Sequence, residues 1–270
     1  MATSDAAFAG SIPELYDRLL VPMIFESYAQ DLAGRIAGTR PRDVLETAAG
    51  SGVVTRALAA ALPKDARIVA SDLNQPMLDR AALRQADDPR IAWRQADALA
   101  LPFPDGAFDT VACQFGVMFF PDRVQGYREA RRVLKPDGHF FFSVWDRLSE
   151  NEFSHVTEET LALRFPDDPP RFLSRTPYGY YDADRIRAEL AAAGFTKISI
   201  DRVSSTSRSA SPREVAVALC QGTPLRNEIE ARDASGLEGA TKAASDALAR
   251  QFGDGSIEGR IKACILTAVR

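Results

Sequence analysis

The residue types that could do chemistry begin at the end of a short apolar run. There an acid is followed by very small residues, Glu46-Thr47-Ala48-Ala49-Gly50-Ser51-Gly52. A helix-forming run over 53–62 comes next, so the stretch predicts a strand, a tight turn and a helix. Gly50 and Gly52 have no Cβ and can take a positive φ, which lets a ligand lie almost against the backbone. The N–H groups that begin the helix would face a polar group of that ligand. Alone, the turn is equally compatible with an ordinary α/β connection.

Asp72 strengthens the ligand hypothesis. It closes a second apolar run, 67–71, and lies about 20 residues past Gly52, where the dinucleotide-binding fingerprint places an acid that binds ribose hydroxyls. A carboxylate only accepts hydrogen bonds, which suits a vicinal diol. The small residues at 48, 50 and 52 depart from the G-x-G-x-x-G spacing of nicotinamide enzymes. A nicotinamide-dependent oxidoreductase therefore stays as an alternative, which binding of NAD would support.

Three further blocks follow in the chain. They are Ala96-Asp97-Ala98, Leu101-Pro102-Phe103-Pro104-Asp105-Gly106-Ala107-Phe108-Asp109 and Arg131-Arg132-Val133-Leu134-Lys135-Pro136-Asp137-Gly138-His139. Together with the turn and Asp72-Leu73-Asn74-Gln75-Pro76-Met77-Leu78, they resemble, in order over about residues 42–146, the motifs of class I S-adenosylmethionine-dependent methyltransferases. They are most similar to the methyltransferase type 11 subgroup, which includes the ubiquinone and menaquinone C-methyltransferases.

The resemblance has one departure. Ala48 stands where the family's acid-x-G-x-G-x-G signature has its first glycine. An alanine is tolerable there only at negative φ, so we expect a negative φ at Ala48. Its methyl group would also narrow the space for the methionine end of the cofactor.

The resemblance implies S-adenosyl-L-methionine as cofactor, S-adenosyl-L-homocysteine as product and no metal. It implies that Glu46 orients the loop or the cofactor's amino group, that Asp72 takes the ribose diol and that Asp97 accepts from the adenine amine. The remaining implied cofactor contacts are Ala48, Gly50 and Gly52 in the loop, Leu73 and Met77 on the adenine, Ala98 at a ring nitrogen, and Gln114 at the methionine moiety or the acceptor. Leu73 and Met77 are equally well explained as helix core.

The sequence shows neither a general base nor a His, Cys and acid cluster with metal-ligand spacing. Methyl transfer from an activated donor needs mainly proximity and orientation, which supply on the order of 7–11 kcal/mol in favourable cases. Weak candidates for a base are Tyr178, Tyr180, Tyr181 and His155, each more often structural. The tyrosines are alternatively a surface for an aromatic or cationic group.

The segment after the fourth predicted strand bears on the acceptor. Methyltransferases of amino groups in DNA bases or glutamine amides usually carry Asn/Asp-Pro-Pro-aromatic there, whereas this chain has Cys113-Gln114-Phe115-Gly116-Val117-Met118-Phe119-Phe120-Pro121. This points to a small-molecule acceptor, and the aromatic density to an apolar or aromatic one. Open alternatives are a non-catalytic S-adenosylmethionine-binding protein and a methyltransferase of tRNA or protein.

Composition narrows the class of protein further. The 270 residues carry a formal net charge of −4 without a run of basic residues, which argues against nucleic acid as a partner. Cys113, Cys220 and Cys264 are far apart among apolar neighbours, as in core residues of a reducing compartment. The sequence shows neither an apolar run long enough to span a membrane nor a secretion signal, so we expect a cytoplasmic monomer or homodimer.

Strand-like and helix-like runs alternate after residue 41, which predicts a parallel sheet with right-handed crossovers. The resemblance implies an α/β, Rossmann-like fold with a seven-stranded, mostly parallel sheet flanked by helices. We expect N-terminal lid helices over 1–40, a cofactor-binding core over 41–146, and a substrate-covering segment with the final strands over 147–270. A helical lobe inserted over about 212–255 would help wall the substrate pocket, or else form a packing extension or dimer surface.

The individual elements follow from these patterns. The predicted strands are 43–48, 67–71, 91–95, 108–113, 138–145, 198–203 and 259–269. The predicted helices are 13–20, 23–37, 53–62, 75–86, 121–134, 151–164, 183–193, 212–221 and 225–251, the last interrupted near Gly236 and Gly239. We also expect a mobile terminus over 1–10, a helix cap at Ser11, a turn over Lys135-Pro136-Asp137-Gly138 and a polar connection over 204–211.

Overall fold

The structure is a computed structural model that describes residues 12–85 and 87–270. Its strands are β1 Asp43–Glu46, β2 Arg67–Asp72, β3 Ile91–Gln95, β4 Phe108–Gln114, β5 Leu134–Trp145, β6 Lys197–Ser209 and β7 Ile257–Val269. In the described residues they form a seven-stranded sheet in the order β3-β2-β1-β4-β5-β7-β6. The predicted sheet is thus confirmed.

Parallel pairing dominates this sheet. β1 pairs in parallel with β2 and β4, β2 with β3, and β4 with β5. Because carboxyl ends of parallel strands meet at one edge, Glu46, Asp72 and Gln114 end their strands at the same edge. β1 is central, and its Val44 and Leu45 are fully buried.

β7 runs antiparallel to β5. The Asp146 N–H donates to the Lys262 carbonyl at 3.0 Å, and the Arg270 N–H donates to the Gly138 carbonyl at 2.9 Å. Residue numbers rise along β5 while the numbers of the bonded residues on β7 fall, which is the antiparallel pattern. The sheet is therefore mostly, and not wholly, parallel.

The helices flank the strands. They are α1 Ile12–Leu15, α2 Glu26–Gly38, α3 Val53–Ala61, α4 Gln75–Arg84, α5 Arg123–Val133, α6 Glu152–Arg164, α7 Phe172–Arg175, α8 Ala183–Ala192, α9 Pro212–Gln221, α10 Leu225–Arg232 and α11 Leu237–Phe252, with a π-helix over Tyr16–Phe25 and 3₁₀ turns over Val117–Phe119 and Leu148–Glu150. Side-chain caps fix several starts: Asp122 accepts from the Gln125 N–H at 2.9 Å, and Ser211 from the Glu214 N–H at 3.2 Å. The interruption predicted near Gly236 is confirmed, whereas the one predicted near Gly239 is wrong, because α11 runs through that residue.

The break predicted between helices 13–20 and 23–37 is wrong. The chain stays helical from Ile12 to Gly38 by passing through the π-helix, which contains Pro22. Proline lacks an N–H and its ring crowds the carbonyl four residues earlier, so the wider π-helical turn accommodates it without ending the helix. Residues 1–10 and the cap predicted at Ser11 lie outside the described residues.

Two other predicted boundaries are wrong. The polar connection predicted over 204–211 is mostly strand, because β6 continues to Ser209. β6 is an edge strand, where polar side chains are tolerated, and the Ser207 hydroxyl donates to the Met23 carbonyl at 3.0 Å. The turn predicted over 135–138 lies inside β5, where the register with β4 shifts and Asp137 takes a φ of +60°.

Contacts divide the described chain into two compact units. The first contains residues 12–25, 145–179 and 204–262, and it packs α9 and α6 against α11. The second contains 26–85, 87–144, 180–203 and 263–270, including β1 to β4. Helices α9 to α11 occupy the insertion predicted between the last two strands; their role stays a prediction, as do the predicted ranges 1–40, 41–146 and 147–270.

The described residues contain no helix that is both long and apolar enough to cross a membrane. In the same ranges, His, Cys, Asp and Glu side chains do not gather in groups of three or more that could hold a metal ion. Cys113, Cys220 and Cys264 are buried, as predicted for core residues.

The central strand gives a test of the fold. Leu45→Ala removes a fully buried side chain from β1, so we expect the free energy of unfolding to fall by about 2–5 kcal/mol. Leu83→Ala is the matched control, since Leu83 is 84% exposed on α4 and the loss should stay within about 0.5 kcal/mol. Urea denaturation followed by circular dichroism measures both. Equal losses in the two variants would contradict a buried central β1.

Candidate active site

The candidate site lies where the strand order of the second unit reverses. β2 lies on one side of β1 and β4 on the other, so the connections that leave β1 and β4 diverge at the carboxyl edge. Open α/β sheets bind ligands at such switch points. We call residues 47–52 the glycine loop and residues 115–120 the post-β4 segment.

The backbone of the glycine loop is left-handed at three positions. Ala48 has a φ of +53°, Gly50 of +56° and Gly52 of +79°. The negative φ predicted for Ala48 is therefore wrong. This conformation costs a residue with a Cβ about 1–2 kcal/mol. The flanking N–H groups impose it: Thr47 donates to the Ala112 carbonyl and Ala49 to the Ser71 carbonyl, both at 2.9 Å.

Gly52 is required by packing as well as by its φ. A Cβ at Gly52 would lie 2.9 Å from the Ala81 Cβ and 3.2 Å from the Trp93 Cη2. A Cβ at Gly50 would meet the Met77 Cε at 3.6 Å, which is ordinary contact distance. The structure thus brings Gly50, Gly52 and the buried Met77 together.

Asp72 holds the loop from β2. Its Oδ2 accepts from the Gly50 N–H at 2.9 Å, and its Oδ1 accepts from the Asn74 N–H at 2.8 Å. Burial raises the pKa of Asp72, although these hydrogen bonds oppose the shift. The Asn74 side-chain amide also donates to Oδ1, at 3.3 Å, so of the about four acceptor positions of a carboxylate the second one on Oδ2 is left for a hydroxyl donor.

Glu46, at the end of β1, is buried. The Thr55 hydroxyl donates to its Oε2 at 2.6 Å. Burial raises the pKa of Glu46 to about 8, and the charge of Asp72 adds to this, while Thr55 and Arg56 oppose it. The carboxyl group is therefore mostly protonated at neutral pH.

Ser51 carries a polar atom that is left unsatisfied. Its side chain is buried between Gly50 and Gly52, and its Oγ has no hydrogen-bond partner among the described residues. An unsatisfied buried hydroxyl costs about 1–3 kcal/mol. A ligand that offers a polar group at the loop would remove this cost.

The other residues predicted for the adenine stand further along the same edge. The Ala96 N–H donates to the Asp72 carbonyl at 3.0 Å, which ties the block after β3 to β2. Asp97 is exposed and its Oδ1 accepts from the Leu99 N–H at 2.9 Å. Ala98 is half-buried, and Leu73 is 44% exposed.

The post-β4 segment begins after the half-buried Gln114, which pairs with Ser143 of β5. The Phe115 N–H donates to the Ser143 carbonyl at 3.1 Å and to its hydroxyl at 3.2 Å, and Phe115 has a φ of +51°. The Tyr28 ring meets the Phe115 ring edge-on, with 5.5 Å between centroids.

The weak candidates for a base are divided between the two units. Tyr178 and His155 belong to the first unit, and Tyr180 and Tyr181 to the second. The hydroxyls of Tyr178 and Ser154 are 2.8 Å apart, and burial raises the pKa of Tyr178. His155 Nε2 lies 3.4 Å from a Glu159 oxygen, one turn along α6.

Tyr180 is equally engaged, since its hydroxyl donates to Glu189 at 2.5 Å and lies 3.0 Å from the Tyr127 hydroxyl. Burial raises the pKa of Tyr180 as well, so its hydroxyl keeps its proton. Tyr181 is 37% exposed.

Sequence reasoning missed four residues of this site: Ser51, Thr55, Phe115 and Gly116. Thr55 had no signal, because nothing in the chain pairs it with an acid nine residues earlier. Gly116, directly after an apolar strand run, carried the same signal as the glycines of the loop.

Comparisons with known proteins agree with this geometry. Residues 45–142 match a family model described as a methyltransferase domain. A demethylmenaquinone methyltransferase of Clavibacter sepedonicus is 35% identical over 208 residues, which cover 72% of this chain and 82% of the relative. Another, of Deinococcus radiodurans, is 37% identical over 134 residues, and that match spans only 48% of this chain and 55% of the relative.

The fold is also found in solved structures. A Haemonchus contortus phosphoethanolamine N-methyltransferase 2, in complex with S-adenosyl-L-methionine, matches with a TM-score of 0.59 at 17% identity, covering 96% of this chain and 56% of that chain. At this identity the likeness shows the fold alone.

The raised pKa of Glu46 predicts a pH-dependent stability. The folded pKa of about 8 lies above the ordinary 4.5, so the contribution is fully present below about pH 4.5 and is lost as pH rises through about 8. Glu46→Gln cannot ionise, and its melting temperature should rise relative to wild type across this window, by the equivalent of a few kcal/mol. Melting curves of both proteins between pH 4.5 and 9 measure this. A constant difference between them would show that burial does not disfavour the charged form.

Proposed function

The chain belongs to the class I S-adenosylmethionine-dependent methyltransferases, in the subgroup like the ubiquinone and menaquinone C-methyltransferases, and we propose that it methylates a small aromatic acceptor of the hydroquinone type. The observation that carries this proposal is the 35% identity over 82% of a demethylmenaquinone methyltransferase. A reduced quinone has electron-rich ring carbons. In a C-methyltransferase reaction, a carbon of the acceptor is the atom that attacks the methyl group.

The glycine loop and its surroundings fit the cofactor. When bound, S-adenosylmethionine supplies a methyl group that is already activated on a sulfonium. Asp72 has an acceptor position on Oδ2 for a ribose hydroxyl, and the absence of a Cβ at Gly50 allows the close approach beside Met77. The buried Ser51 hydroxyl needs a polar partner there. These observations support a cofactor site at the loop.

The remaining cofactor contacts are part of the proposal. Asp97 would accept from the adenine amine and the Ala98 N–H would donate to a ring nitrogen, with Leu73 packed on the ring. The exposed position of Asp97 and Leu73 at the carboxyl edge supports these roles. Gln114 would face the methionine moiety or the acceptor.

The protonation state of Glu46 would respond to the ammonium group of the cofactor. Its protonated carboxyl accepts from Thr55 and can donate its own proton, and an approaching ammonium group would favour the charged form. We therefore expect cofactor binding to be accompanied by proton release from Glu46 near neutral pH.

The acceptor would be held by aromatic side chains. The post-β4 segment carries Phe115, buried against Tyr28, and the half-buried Phe119 and Phe120. Flat apolar rings suit a flat apolar acceptor, because offset stacking adds to the burial of its surface. The hydroxyls of Tyr178 and Tyr180 are already bonded, so we assign no general base to the chain, and the ring proton that the new carbon–methyl bond displaces would pass to solvent water. The chain's own contribution is then orientation and desolvation.

Cofactor binding is the first test of this function. We expect S-adenosyl-L-homocysteine to bind in isothermal calorimetry with a micromolar dissociation constant, on the order of 8 kcal/mol of binding free energy, and NAD not to bind. Reduced short-chain demethylmenaquinone should then accept labelled methyl from S-adenosylmethionine, while a primary amine and bulk tRNA should not. Binding without transfer to any acceptor would indicate a non-catalytic binding protein. Binding of NAD alone would overturn the proposal.

Asp72 gives the sharper prediction. Asp72→Asn keeps the shape of the side chain but removes its charge and one acceptor, so affinity for S-adenosyl-L-homocysteine should fall by about 10–150-fold, the equivalent of about 1.5–3 kcal/mol. The matched control is Asp65→Asn, on the exposed connection before β2, which should bind like wild type. Calorimetry of the three proteins decides it, with circular dichroism to confirm folding. Unchanged affinity in Asp72→Asn would remove Asp72 from the ribose site.

A further inference from the structure

The glycine loop and the post-β4 segment interlock at one pair of residues, Ala48 and Gly116. A Cβ at Gly116 would lie 2.5 Å from the Ala48 Cβ, closer than real Cβ atoms approach one another. It would also lie 2.7 Å from the Cys113 Sγ. The Ala48 methyl group therefore occupies the space that any side chain at position 116 would need.

The backbone is strained in both of the segments that make this contact. Ala48 is left-handed at +53°, and Phe115, which precedes Gly116, is left-handed at +51°. A glycine would relieve the strain at position 48, because it has no Cβ to disfavour positive φ. The chain instead keeps a methyl group there, and that methyl reaches the neighbouring segment. The contact thus transmits the position of one loop to the other.

The two segments carry different parts of the proposed reaction. The glycine loop would hold the methyl donor, since its Gly50 N–H is bonded to Asp72, the residue proposed to bind the cofactor's ribose. The post-β4 segment would hold the acceptor, through Phe115 and its neighbours. A contact that fixes the distance between these segments therefore fixes the alignment on which in-line transfer depends.

We propose that Ala48 is a positioning residue whose methyl group, seated against Gly116, sets the spacing between the donor-binding loop and the acceptor-binding segment. This inference rests on the proposed function. It goes beyond binding, because Ala48 acts through Gly116 and not through a contact with the reacting atoms.

The test is Ala48→Gly, compared with Ala66→Gly. Ala48→Gly should lower kcat at saturating cofactor and acceptor at least tenfold, while the Kd for S-adenosyl-L-homocysteine stays within threefold and the melting temperature does not fall. Ala66 is buried in the connection before β2, away from both segments, so Ala66→Gly should lower the melting temperature and leave kcat unchanged. A purely structural role for Ala48 would give the pattern of the control.

Hydrogen exchange gives a readout that needs no ligand. The Phe115 N–H is bonded to Ser143, and its exchange should quicken at least tenfold in Ala48→Gly if the methyl holds the segment in place. Exchange of the Ile68 N–H, bonded to the Arg90 carbonyl at the other end of β2, serves as the internal reference.

A size exchange completes the test. The exchange is made in a Cys113→Ala background, because a Cβ at position 116 would also lie 2.7 Å from the Cys113 Sγ. There Gly116→Ala should lose activity, because its methyl collides with that of Ala48, and adding Ala48→Gly should recover at least tenfold. Unchanged kcat and unchanged Phe115 exchange in Ala48→Gly would overturn the inference. If wild type transfers no methyl group, the proposed function fails, and the exchange measurement still decides whether Ala48 fixes the segment.

Discussion

The hydrogen bond from the Gly50 N–H to the Asp72 carboxylate, at 2.9 Å, is the interaction on which the candidate site depends. It joins the turn after β1 to the end of β2, and it is possible only because parallel pairing brings both carboxyl ends to one edge. The same bond keeps the carboxylate oriented although burial disfavours its charge. A ligand that takes the remaining acceptor position on Oδ2 therefore meets a group whose orientation is already fixed.

Backbone conformations that cost free energy are concentrated around this bond. Three residues of the glycine loop and one of the post-β4 segment are left-handed, and two of them, Ala48 and Phe115, carry a Cβ. Such conformations persist where neighbouring hydrogen bonds determine them, as the N–H groups of Thr47 and Ala49 do here. The stability of the sheet is thus used to hold a site that the loop would not form by itself.

The sequence was sufficient for the sheet, the loop and the acids at the strand ends, because these follow from short-range pattern and from ordered motifs. The path through Pro22 was not predictable, since local rules end a helix at proline and the π-helix depends on its surroundings. The predicted strand over 198–203 is confirmed, but polar residues hid its continuation to Ser209, which depends on a partner far along the chain. The φ of Ala48 is set by bonds to β2 and β4, which no local pattern reveals.

Cys113 gives the molecule an internal reporter. Its thiol is fully buried at the end of β4, and its sulfur would lie 2.7 Å from a Cβ at Gly116. A reagent that alkylates thiols can reach this sulfur only when β4 and the segment after it separate from their neighbours, so the labelling rate measures the free energy of that local opening. Burial also raises the pKa of the thiol to about 12, which keeps it in its unreactive form while the chain is closed. The labelling rate of the native Cys113 therefore reports how readily the candidate site opens.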